Sequence, residues 1–279
     1  MPGSLYVVAT PIGNLEDITL RAIRVLREVA LIASEDTRHT AKLLSHLGIK
    51  SRLFSYYKDR EVKQADYLIQ ELLAGRDIAL VSDAGTPAVS DPGAVLVTKC
   101  HSIGIPIVPV PGVSALTTAV SVAGLPETQF TFLGFFPSRS GQRQKLLTSL
   151  AGSPYPFVFY ESPRRLVQCL RACLEILGER DVFLGRELTK IHEELLRGPL
   201  SNVISVIEEK EKIKGECVVI VGPREKNKSP DLEDLDTLLA WYRDHGEMSL
   251  RDAVKLISAD LDLPRSRVYA KALQIWDSD

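Results

Sequence analysis

The amino-acid sequence predicts an α/β protein built from two α/β lobes and a small helical domain. First, short runs rich in β-branched residues alternate with stretches of helical periodicity over most of the chain. Second, the predicted strands are apolar throughout, which is typical of a mostly parallel sheet covered on both faces. Third, a polar segment separates this region from a purely helical end. The predicted lobes are 1–112 and 113–224, the linker is 225–236, and the helical domain is 237–279.

Each element of the first lobe follows from local periodicity. Apolar residues spaced i, i+3 and i+4 predict helices, and short apolar runs between them predict buried strands. The helix that begins at Thr37 is predicted to end at Leu47, because Gly48 is typical of the residue that follows a helix. The predicted strands are 5–9, 31–34, 52–56, 77–82 and 105–112, and the predicted helices are 19–30, 37–47, 61–74 and 93–104.

The same alternation resumes in the second lobe after residues 114–126, which are assigned to no element. A strand or ribbon is predicted near 192–198, just before a helix. The other predicted strands are 130–136, 156–162, 182–188 and 216–223, and the predicted helices are 140–152, 164–178 and 200–211.

The C-terminal tail is predicted to form two short helices around a tight connection, similar to a helix-turn-helix. Ser249 favours an N-cap for the first helix, and Pro264 lies where the second helix begins. The apolar face of the first helix comprises Leu250, Ala253, Val254 and Ile257, and that of the second comprises Val268, Tyr269 and Leu273.

Two interpretations of this tail stay open. Arg265, Arg267 and Lys271 on the second helix could face a phosphate backbone, which indicates an RNA-docking module. Against this, Asp260 and Asp262 precede that helix and the tail as a whole is not basic. A packing or dimerisation module is therefore the alternative.

Charge and composition exclude several classes of protein. The formal net charge is −2, which argues against a general nucleic-acid binder but allows local basic patches. The chain opens without a signal-peptide pattern, and no apolar run is long enough to span a bilayer, so we expect a cytoplasmic location. Cys169 and Cys173, spaced i, i+4 on a predicted helix, are expected to pack in the core, and no metal site is predicted.

Four predicted strand-end loops are rich in glycine, proline and small residues. They span 9–17, 82–93, 111–115 and 133–141. Parallel sheets bind ligands beyond the carboxyl ends of their strands, so loops of this kind around one cleft favour a ligand site over ordinary turns. The sequence lacks GxGxxG after the first strand and lacks GxxxxGK[ST]. With few cations in the loops, a folded nucleoside-type ligand of modest charge fits better than a polyphosphate.

Specific motifs carry a family resemblance. VVATPIGNLEDITLRA resembles the opening of the tetrapyrrole methylase superfamily. The segments SEDTRHTAKLL, SDAGTPAVSDPG, PGVSAL, FLGFFPSR, FYESPRRL and GRELTKIHEE, in this order, resemble the family of ribosomal RNA small subunit methyltransferase I. The resemblance covers residues 4–223. SDAGTPAVSDPG and FYESPRR are its specific parts, whereas PGVSA and the first loop are shared more widely across the superfamily.

The resemblance implies two lobes of the tetrapyrrole methylase type, with S-adenosylmethionine folded in the cleft between them. It implies 2′-O-methylation of a cytidine in 16S ribosomal RNA, either as free RNA or in the small ribosomal subunit, and a homodimer. The cofactor-binding residues that it implies are Ile12, Gly13, Gly85, Thr86, Pro87, Val89, Ser114, Ala115, Tyr160, Arg186 and Glu216.

A general base would assist the reaction, because a ribose hydroxyl is a weak acid. The candidates are Glu35 and Asp36 in SEDTR, and Glu187 and Lys190 in GRELTK. The alternative for each is a plain ion pair, for instance with a nearby arginine such as Arg38 or Arg186. The five histidines are isolated in the sequence, so we expect surface or packing roles for them.

Two basic clusters are candidates for RNA contact, because guanidinium groups hold phosphates well. One comprises Arg139, Arg143 and Lys145, in and after the FFPSRSGQRQK loop. The other is Arg164 with Arg165, beside FYES. A solvated face is the alternative for each residue, and it is the interpretation adopted for Arg165.

Two other functions remain as alternatives. A methyltransferase for a corrin-type tetrapyrrole shares the superfamily, but a small macrocycle needs neither the helical tail nor the arginine-bearing loop. A non-enzymatic nucleic-acid-binding regulator would use the tail, but it leaves the glycine-lined cleft without a purpose.

Overall fold

The computed structural model describes residues 1–125, 129–223, 232–245, 248–261 and 263–276. The chain forms two compact units, Met1–Pro223 and Arg224–Asp279. None of the helices in the described ranges is both long and apolar enough to cross a membrane.

The first sheet is entirely parallel, with the strand order β3-β2-β4-β1-β5. Its carboxyl ends therefore meet at one edge, as the sequence predicted. The strands are β1 (Leu5–Val8), β2 (Leu31–Ser34), β3 (Leu53–Ser55), β4 (Ile78–Val81) and β5 (Ile107–Val110). The helices are α1 (Leu20–Glu28), α2 (Thr37–His46), α3 (Glu61–Leu73) and α4 (Ala94–Ser102), with 3₁₀ turns at Leu15–Asp17 and Lys58–Arg60.

Local chemistry determines where α1 and α2 begin and end. The Thr19 hydroxyl caps α1 by accepting from the Ala22 amide at 3.1 Å, and Asp36 caps α2 by accepting from the Arg38 amide at 2.8 Å. After α2, Gly48 adopts φ +63°, the left-handed conformation that ends a helix. Both faces of the sheet are covered, because α1 and α2 pack in one apolar cluster and α3 and α4 in another.

The second sheet is mixed, so the prediction of a mostly parallel sheet is wrong for this half of the chain. Its order is β6-β7-β10-β8-β9, and only the β6–β7 pair is parallel. The connection from β8 to β9 is too short for the helical crossover that a parallel pair needs. The strands are β6 (Thr131–Phe135), β7 (Phe157–Glu161), β8 (Asp181–Arg186), β9 (Glu194–Pro199) and β10 (Cys217–Val221).

Four helices cover this second sheet. The helix α5 (Ala115–Ala123), which the sequence left unassigned, packs Ala119 and Ala123 against one face of the sheet. The opposite face packs against α6 (Ser140–Leu150), α7 (Pro163–Leu177) and α8 (Leu200–Glu208). The first sheet ends at Val110 and the second begins at Thr131, so α5 follows the crossing between them.

The C-terminal unit contains three described helices rather than two: α9 (Leu232–His245), α10 (Leu250–Asp260) and α11 (Arg265–Trp276). The predicted linker extended too far, because 232–236 is helical and Leu235 is buried in the apolar cluster of this unit. Residues 225–231 of that linker, and Asp262, lie outside the described residues.

The first predicted apolar face of the tail is largely confirmed, since Ala253, Val254 and Ile257 are buried. The second is wrong in part. Ala272 is buried beside Val268, whereas Tyr269 and Leu273 are 39% and 38% exposed. The helix α9, which was not predicted from the sequence, packs with α11 in one apolar cluster. This packing determines which side of α11 faces inward.

Candidate active site

The loops after β1 and β4 are joined to each other at the carboxyl edge of the first sheet. Thr10 and Gly85 exchange two backbone hydrogen bonds, both of 2.9 Å. The Thr10 hydroxyl also donates to the Ser82 carbonyl at 3.1 Å. Gly85 has φ +79°, a backbone conformation that residues with a Cβ atom rarely adopt. The glycine is therefore required by the backbone path that joins the two loops.

The loop 82–93 is held in an unusual conformation. Ala88 and Ser90 have φ angles of +64° and +71°, which cost free energy for residues that carry a side chain. The Ala88 amide donates to the Pro92 carbonyl at 3.3 Å, and the Gly93 amide donates to the Glu61 carboxylate at 2.8 Å. Backbone strain of this kind is concentrated at functional sites, which agrees with the interpretation of this loop as part of a ligand site.

A cavity of about 360 Å³, here called the first cavity, lies where these loops meet the second sheet. Its volume is in the range of small-molecule sites. The Tyr160 hydroxyl in its wall accepts from the Leu116 amide at 3.2 Å, which ties β7 to α5. The residues of its wall that the sequence assigned to the cofactor are Ile12, Gly85, Thr86, Val89, Ser114, Ala115, Tyr160 and Glu216.

Three residues that the sequence assigned to the cofactor are not among the described residues of this wall. They are Gly13, Pro87 and Arg186. Arg186 instead forms an ion pair with Glu194 at 2.8 Å and donates to the Lys214 carbonyl at 3.0 Å. The guanidinium thus contacts the next strand and the segment before β10, and it does not line the first cavity.

The first cavity is acidic. The carboxylates in its wall are those of Glu35, Asp83, Asp91, Glu161 and Glu216, and no lysine, arginine or histidine is among the wall residues that the structure describes. Burial, with smaller contributions from nearby carboxylates, raises the pKa of Asp91 to about 6. Burial, followed by the charges of Asp83 and Asp91, also raises the pKa of Glu35. Such a cavity favours a cationic ligand.

Glu161 differs from the other carboxylates because its charge is compensated. It is buried and accepts hydrogen bonds from the Ser162 amide at 2.6 Å and the Cys169 thiol at 2.9 Å. Arg165 forms an ion pair with it at 2.6 Å and donates to the Phe136 carbonyl at 3.1 Å. Arg165 is therefore not a residue of a solvated face. It links the end of β6 to the start of α7.

Three of the four candidate bases are engaged in ion pairs. Asp36 pairs with Arg38 at 2.7 Å, and the hydrogen bond from that side chain lowers the pKa of Asp36. Lys190 contacts Glu187 at 2.7 Å and Glu216 at 3.1 Å. Burial opposes the charge of Lys190, but these carboxylates outweigh it and raise the pKa of Lys190, so the group is an ammonium ion.

Burial likewise acts to raise the pKa of Glu187, but hydrogen bonds from Lys190 and the Glu216 amide outweigh it and lower that pKa. The ion-pair alternative is thus what the structure shows for Asp36, Glu187 and Lys190, although the partner of Glu187 is Lys190 rather than an arginine. Glu35 is the candidate that lines the first cavity, and its raised pKa suits a proton acceptor.

A second cavity, of about 500 Å³, adjoins the first. Gly13 lies in its wall, where a Cβ atom would come within 2.3 Å of the Lys190 Cγ. This glycine therefore allows the first loop to approach the loop after β8. In that second loop, Glu187 and Thr189 have positive φ angles. The wall comprises Pro11, Ile12, Gly13, Leu15, His39, Lys42, Leu43, Asp83, Ala84, Lys190 and Glu216.

The structure separates the RNA candidates into exposed and engaged side chains. Arg139, Lys145, Arg164, Arg265 and Arg267 are exposed. The other two predicted contacts, Arg143 and Lys271, interact with side chains of the protein itself.

Arg143 is only 5% exposed and its guanidinium donates to the Cys169 thiol at 3.8 Å, so it cannot reach RNA. The residue occupies the inward face of α6, beside the buried Leu147. Lys271 forms a partly exposed ion pair with Asp236 of α9 at 2.9 Å, so a carboxylate of the same unit compensates its charge.

Sequence reasoning missed several wall residues. Asp83 and Asp91 lie in the loop 82–93 that the sequence singled out, but only its small and apolar residues were assigned to the ligand. Glu161 lies in FYESPRR, and Phe135 lies in FLGFF. The motifs that contain these residues were visible, whereas the direction of each side chain was not.

The family model of Tetrapyrrole (Corrin/Porphyrin) Methylases matches residues 4–204. A crystal structure of the methyltransferase CobJ has a TM-score of 0.61 at 20% identity, covering 80% of this chain and 95% of that chain. Uroporphyrin-III C-methyltransferase from Thermus thermophilus, complexed with S-adenyl homocysteine, has a TM-score of 0.55 at 20% identity over 78% of this chain and 97% of that chain. The chain belongs to the tetrapyrrole methylase family.

Curated relatives narrow the assignment. Ribosomal RNA small subunit methyltransferase I of Halalkalibacterium halodurans is 44% identical over 272 residues, covering 96% of this chain and 93% of the relative. The protein of the same name from Thermotoga maritima is 48% identical over 223 residues, covering 80% of this chain and 100% of the relative. Within the tetrapyrrole methylases, the chain is a member of the ribosomal RNA small subunit methyltransferase I family.

Proposed function

We propose that this protein transfers the methyl group of S-adenosylmethionine to the ribose 2′-hydroxyl of a cytidine in 16S ribosomal RNA. The observation that carries the proposal is the first cavity, which is acidic, lined by small residues and placed at the carboxyl edge of the first sheet. Relatives that match nearly the whole chain bear the name of a ribosomal RNA methyltransferase.

The residues of the first cavity fit a sulfonium nucleoside. S-adenosylmethionine, when bound, supplies an electrophilic methyl group on a positively charged sulfur. The carboxylates of Glu35, Asp83 and Asp91 offer a negative field for that charge. Ile12 and Val218 offer apolar contact, and the close approach of backbone at Gly85 gives a ligand access to peptide groups.

Glu35 is the residue that we assign to the proton of the ribose hydroxyl. Its carboxylate lines the first cavity, and its raised pKa makes it a stronger base than an ordinary glutamate. Positioning of the hydroxyl against the donor supplies much of the rate enhancement in such a transfer. The role of Glu35 is to remove the proton as the new bond to carbon forms.

The exposed basic residues Arg139, Lys145 and Arg164 support a surface for the RNA backbone, since guanidinium and ammonium groups hold phosphates without reading sequence. Arg265 and Arg267 are exposed on α11 and support a second contact by the C-terminal unit. We place the protein in the cytoplasm, where ribosomal subunits are found.

A homodimer is part of the proposal. The strand β9 lies at the edge of its sheet with one neighbour, and Leu195 on it is 45% exposed. Ile191, in the turn before it, is 98% exposed. Unpaired edges and exposed apolar residues are features that subunit interfaces cover. Sedimentation equilibrium tests this, and a single species of monomer mass at micromolar concentration would exclude the dimer.

Incubation with labelled S-adenosylmethionine tests the reaction. One arm offers small ribosomal subunits that lack the modification, and the other offers a corrin-type tetrapyrrole. We expect label in the RNA, on the ribose of a cytidine, and none in the macrocycle. Glu35→Gln should lower kcat by about 100-fold, whereas Glu28→Gln, an exposed carboxylate on α1, should leave it unchanged. Label in the tetrapyrrole alone would overturn the proposal.

A further inference from the structure

The two cavities share one wall, formed by Ile12, Asp83, Ala84 and Glu216. The two cavities therefore adjoin, and a ligand in the first would lie beside a ligand in the second. A transfer reaction needs such an arrangement, because donor and acceptor must meet along one line.

Charge is distributed unequally across the second cavity. Its carboxylates, Asp83 and Glu216, both belong to the shared wall. The basic side chains that it adds are His39, Lys42 and Lys190. The second cavity thus combines carboxylates that it shares with the first cavity with basic side chains that the first cavity lacks.

The basic side chains differ in their availability. Lys190 is held by Glu187 and Glu216. His39 and Lys42 are three residues apart on α2, so they lie side by side on its exposed face, next to the buried Leu43. Neither side chain takes part in the ion pairs found among the described residues. Lys42 and His39 are therefore the groups of this cavity that can take up a new anion.

We propose that the second cavity holds the acceptor nucleotide, with a flanking phosphate against Lys42 and His39 and the ribose at the shared wall. This rests on the proposed function. The carboxylates of the first cavity repel a phosphate, so the phosphodiester lies on the opposite side, along α2. The volume of about 500 Å³ is adequate for a nucleotide-sized ligand.

The test measures steady-state methylation of unmodified small ribosomal subunits by the full-length chain. Lys42→Ala should raise KM for the subunit about tenfold, as expected for the loss of one charge-assisted hydrogen bond, with kcat unchanged. The dependence of log kcat/KM on log salt should become shallower by about 1. Lys42→Arg should restore most of the affinity. His39→Ala should have a smaller effect in the same direction.

A matched control lies on the opposite face of the first sheet. Lys63 on α3 is also exposed, and α3 packs in the other apolar cluster. Lys63→Ala removes the same charge and should leave KM and the salt slope at their wild-type values. Calorimetry with S-adenosylmethionine should give the same affinity for wild type and Lys42→Ala, because Lys42 does not line the first cavity.

The outcomes separate this inference from the function on which it rests. Absence of RNA methylation by the wild-type protein would overturn the proposed function, and the subsite with it. Wild-type methylation together with an unchanged KM and salt slope in Lys42→Ala would overturn the subsite alone. Loss of affinity for S-adenosylmethionine in Lys42→Ala would also contradict it, since the residue would then act on the donor.

Discussion

Replacing Asp91 with asparagine removes a carboxyl group whose charge is destabilised in the folded protein. Burial, helped by the carboxylates of Asp83 and Glu216, raises the pKa of Asp91 from 3.8 to about 6. The folded chain therefore holds this proton more tightly than the unfolded chain does. Ionisation of Asp91 costs folding free energy, and asparagine avoids the cost because it stays neutral.

The size of the effect depends on pH. Below pH 3.8 the carboxyl is protonated in both states and the cost is absent; it grows up to pH 6 and is complete above it. For a shift of this size the linkage relation gives about 3 kcal/mol at pH 8 and about 1.6 kcal/mol at pH 5. Solvent reaches the half-buried group and screens it, so Asp91→Asn should stabilise the fold by about 2 kcal/mol at pH 8 and about 1 kcal/mol at pH 5.

Urea unfolding at pH 5 and pH 8 measures this difference, with Asp59→Asn as the control. Asp59 is exposed in the 3₁₀ turn before α3, so its replacement should change the free energy of unfolding little at either pH. A loss of stability in Asp91→Asn at both pH values would refute the reasoning. It would mean that the hydrogen bond between Asp91 and Ser82 outweighs the cost of burying the charge.

The same substitution should weaken binding of S-adenosylmethionine. If a sulfonium ion brings the pKa of Asp91 back to its ordinary value, the wild-type protein gains up to about 100-fold in affinity at pH 8 from this carboxylate. Affinity should then be about tenfold lower at pH 5 than at pH 8 in the wild type, with a smaller change in Asp91→Asn. S-adenosylhomocysteine is not a sulfonium, so its affinity should differ little between the two proteins. Calorimetry decides between these outcomes.

Three further predictions follow from the backbone and the surface. Gly85→Val should abolish binding of S-adenosylmethionine, whereas Gly48→Val, which imposes similar left-handed strain of about 1–2 kcal/mol away from the cavities, should retain it; equal affinities by calorimetry would exclude a role for the Gly85 loop. Replacing Arg139 and Lys145 together by alanine should reduce the salt slope of RNA binding by about 2 in filter-binding titrations, and an unchanged slope would remove both from the RNA surface. Removal of 224–279 should leave affinity for S-adenosylmethionine unchanged but raise KM for the subunit, and an unaltered KM would show that the C-terminal helices do not contact RNA.

The expected tolerance to that truncation comes from length. The relative from Thermotoga maritima matches this chain over its whole length in 223 residues, and the larger compact unit of this chain is Met1–Pro223. That relative thus lacks a counterpart of about the size of the C-terminal unit. We therefore expect the unit Met1–Pro223 to bind the donor by itself.

Secondary structure was largely predictable because local spacing determines it. The strands and helices of the first sheet agree with the apolar periodicity, and capping at Thr19 and Asp36 has visible side-chain causes. The pairing of the strands was harder to predict from the sequence. An apolar run such as Phe157–Glu161 shows that a strand is buried, not which neighbour it pairs with or in which direction. The mixed second sheet was missed for that reason.

The missed helix α5 has a different cause. Its sequence, ALTTAVSVA, combines β-branched residues with alanine and has little polar face, so local propensity does not favour a helix. Packing decides instead. Ala119 and Ala123 are buried against the second sheet, and the Leu116 amide at its first turn donates to the Tyr160 hydroxyl at 3.2 Å.

The site was predictable at the level of loops but not of charged side chains. Glycine and proline mark the loops, because unusual backbone conformations need particular residues. A charged residue carries no such mark. Arg143 and Arg139 lie in one segment, yet the first is buried and the second exposed, and the difference depends on which face of α6 packs inward. The carboxylates of Asp91 and Glu161 come together only through tertiary structure.

The features that make the first cavity unfavourable in isolation are the ones that suit it to a cationic donor. Ala88 and Ser90 hold strained backbone beside it, and Glu35 and Asp91 carry carboxylates that resist ionisation. A sulfonium relieves the electrostatic part of this cost when it binds. Transfer of the methyl group leaves sulfur uncharged, so the same carboxylates cease to favour the spent donor. We therefore expect this cavity to discriminate between donor and product mainly through charge, with little need for a change in shape.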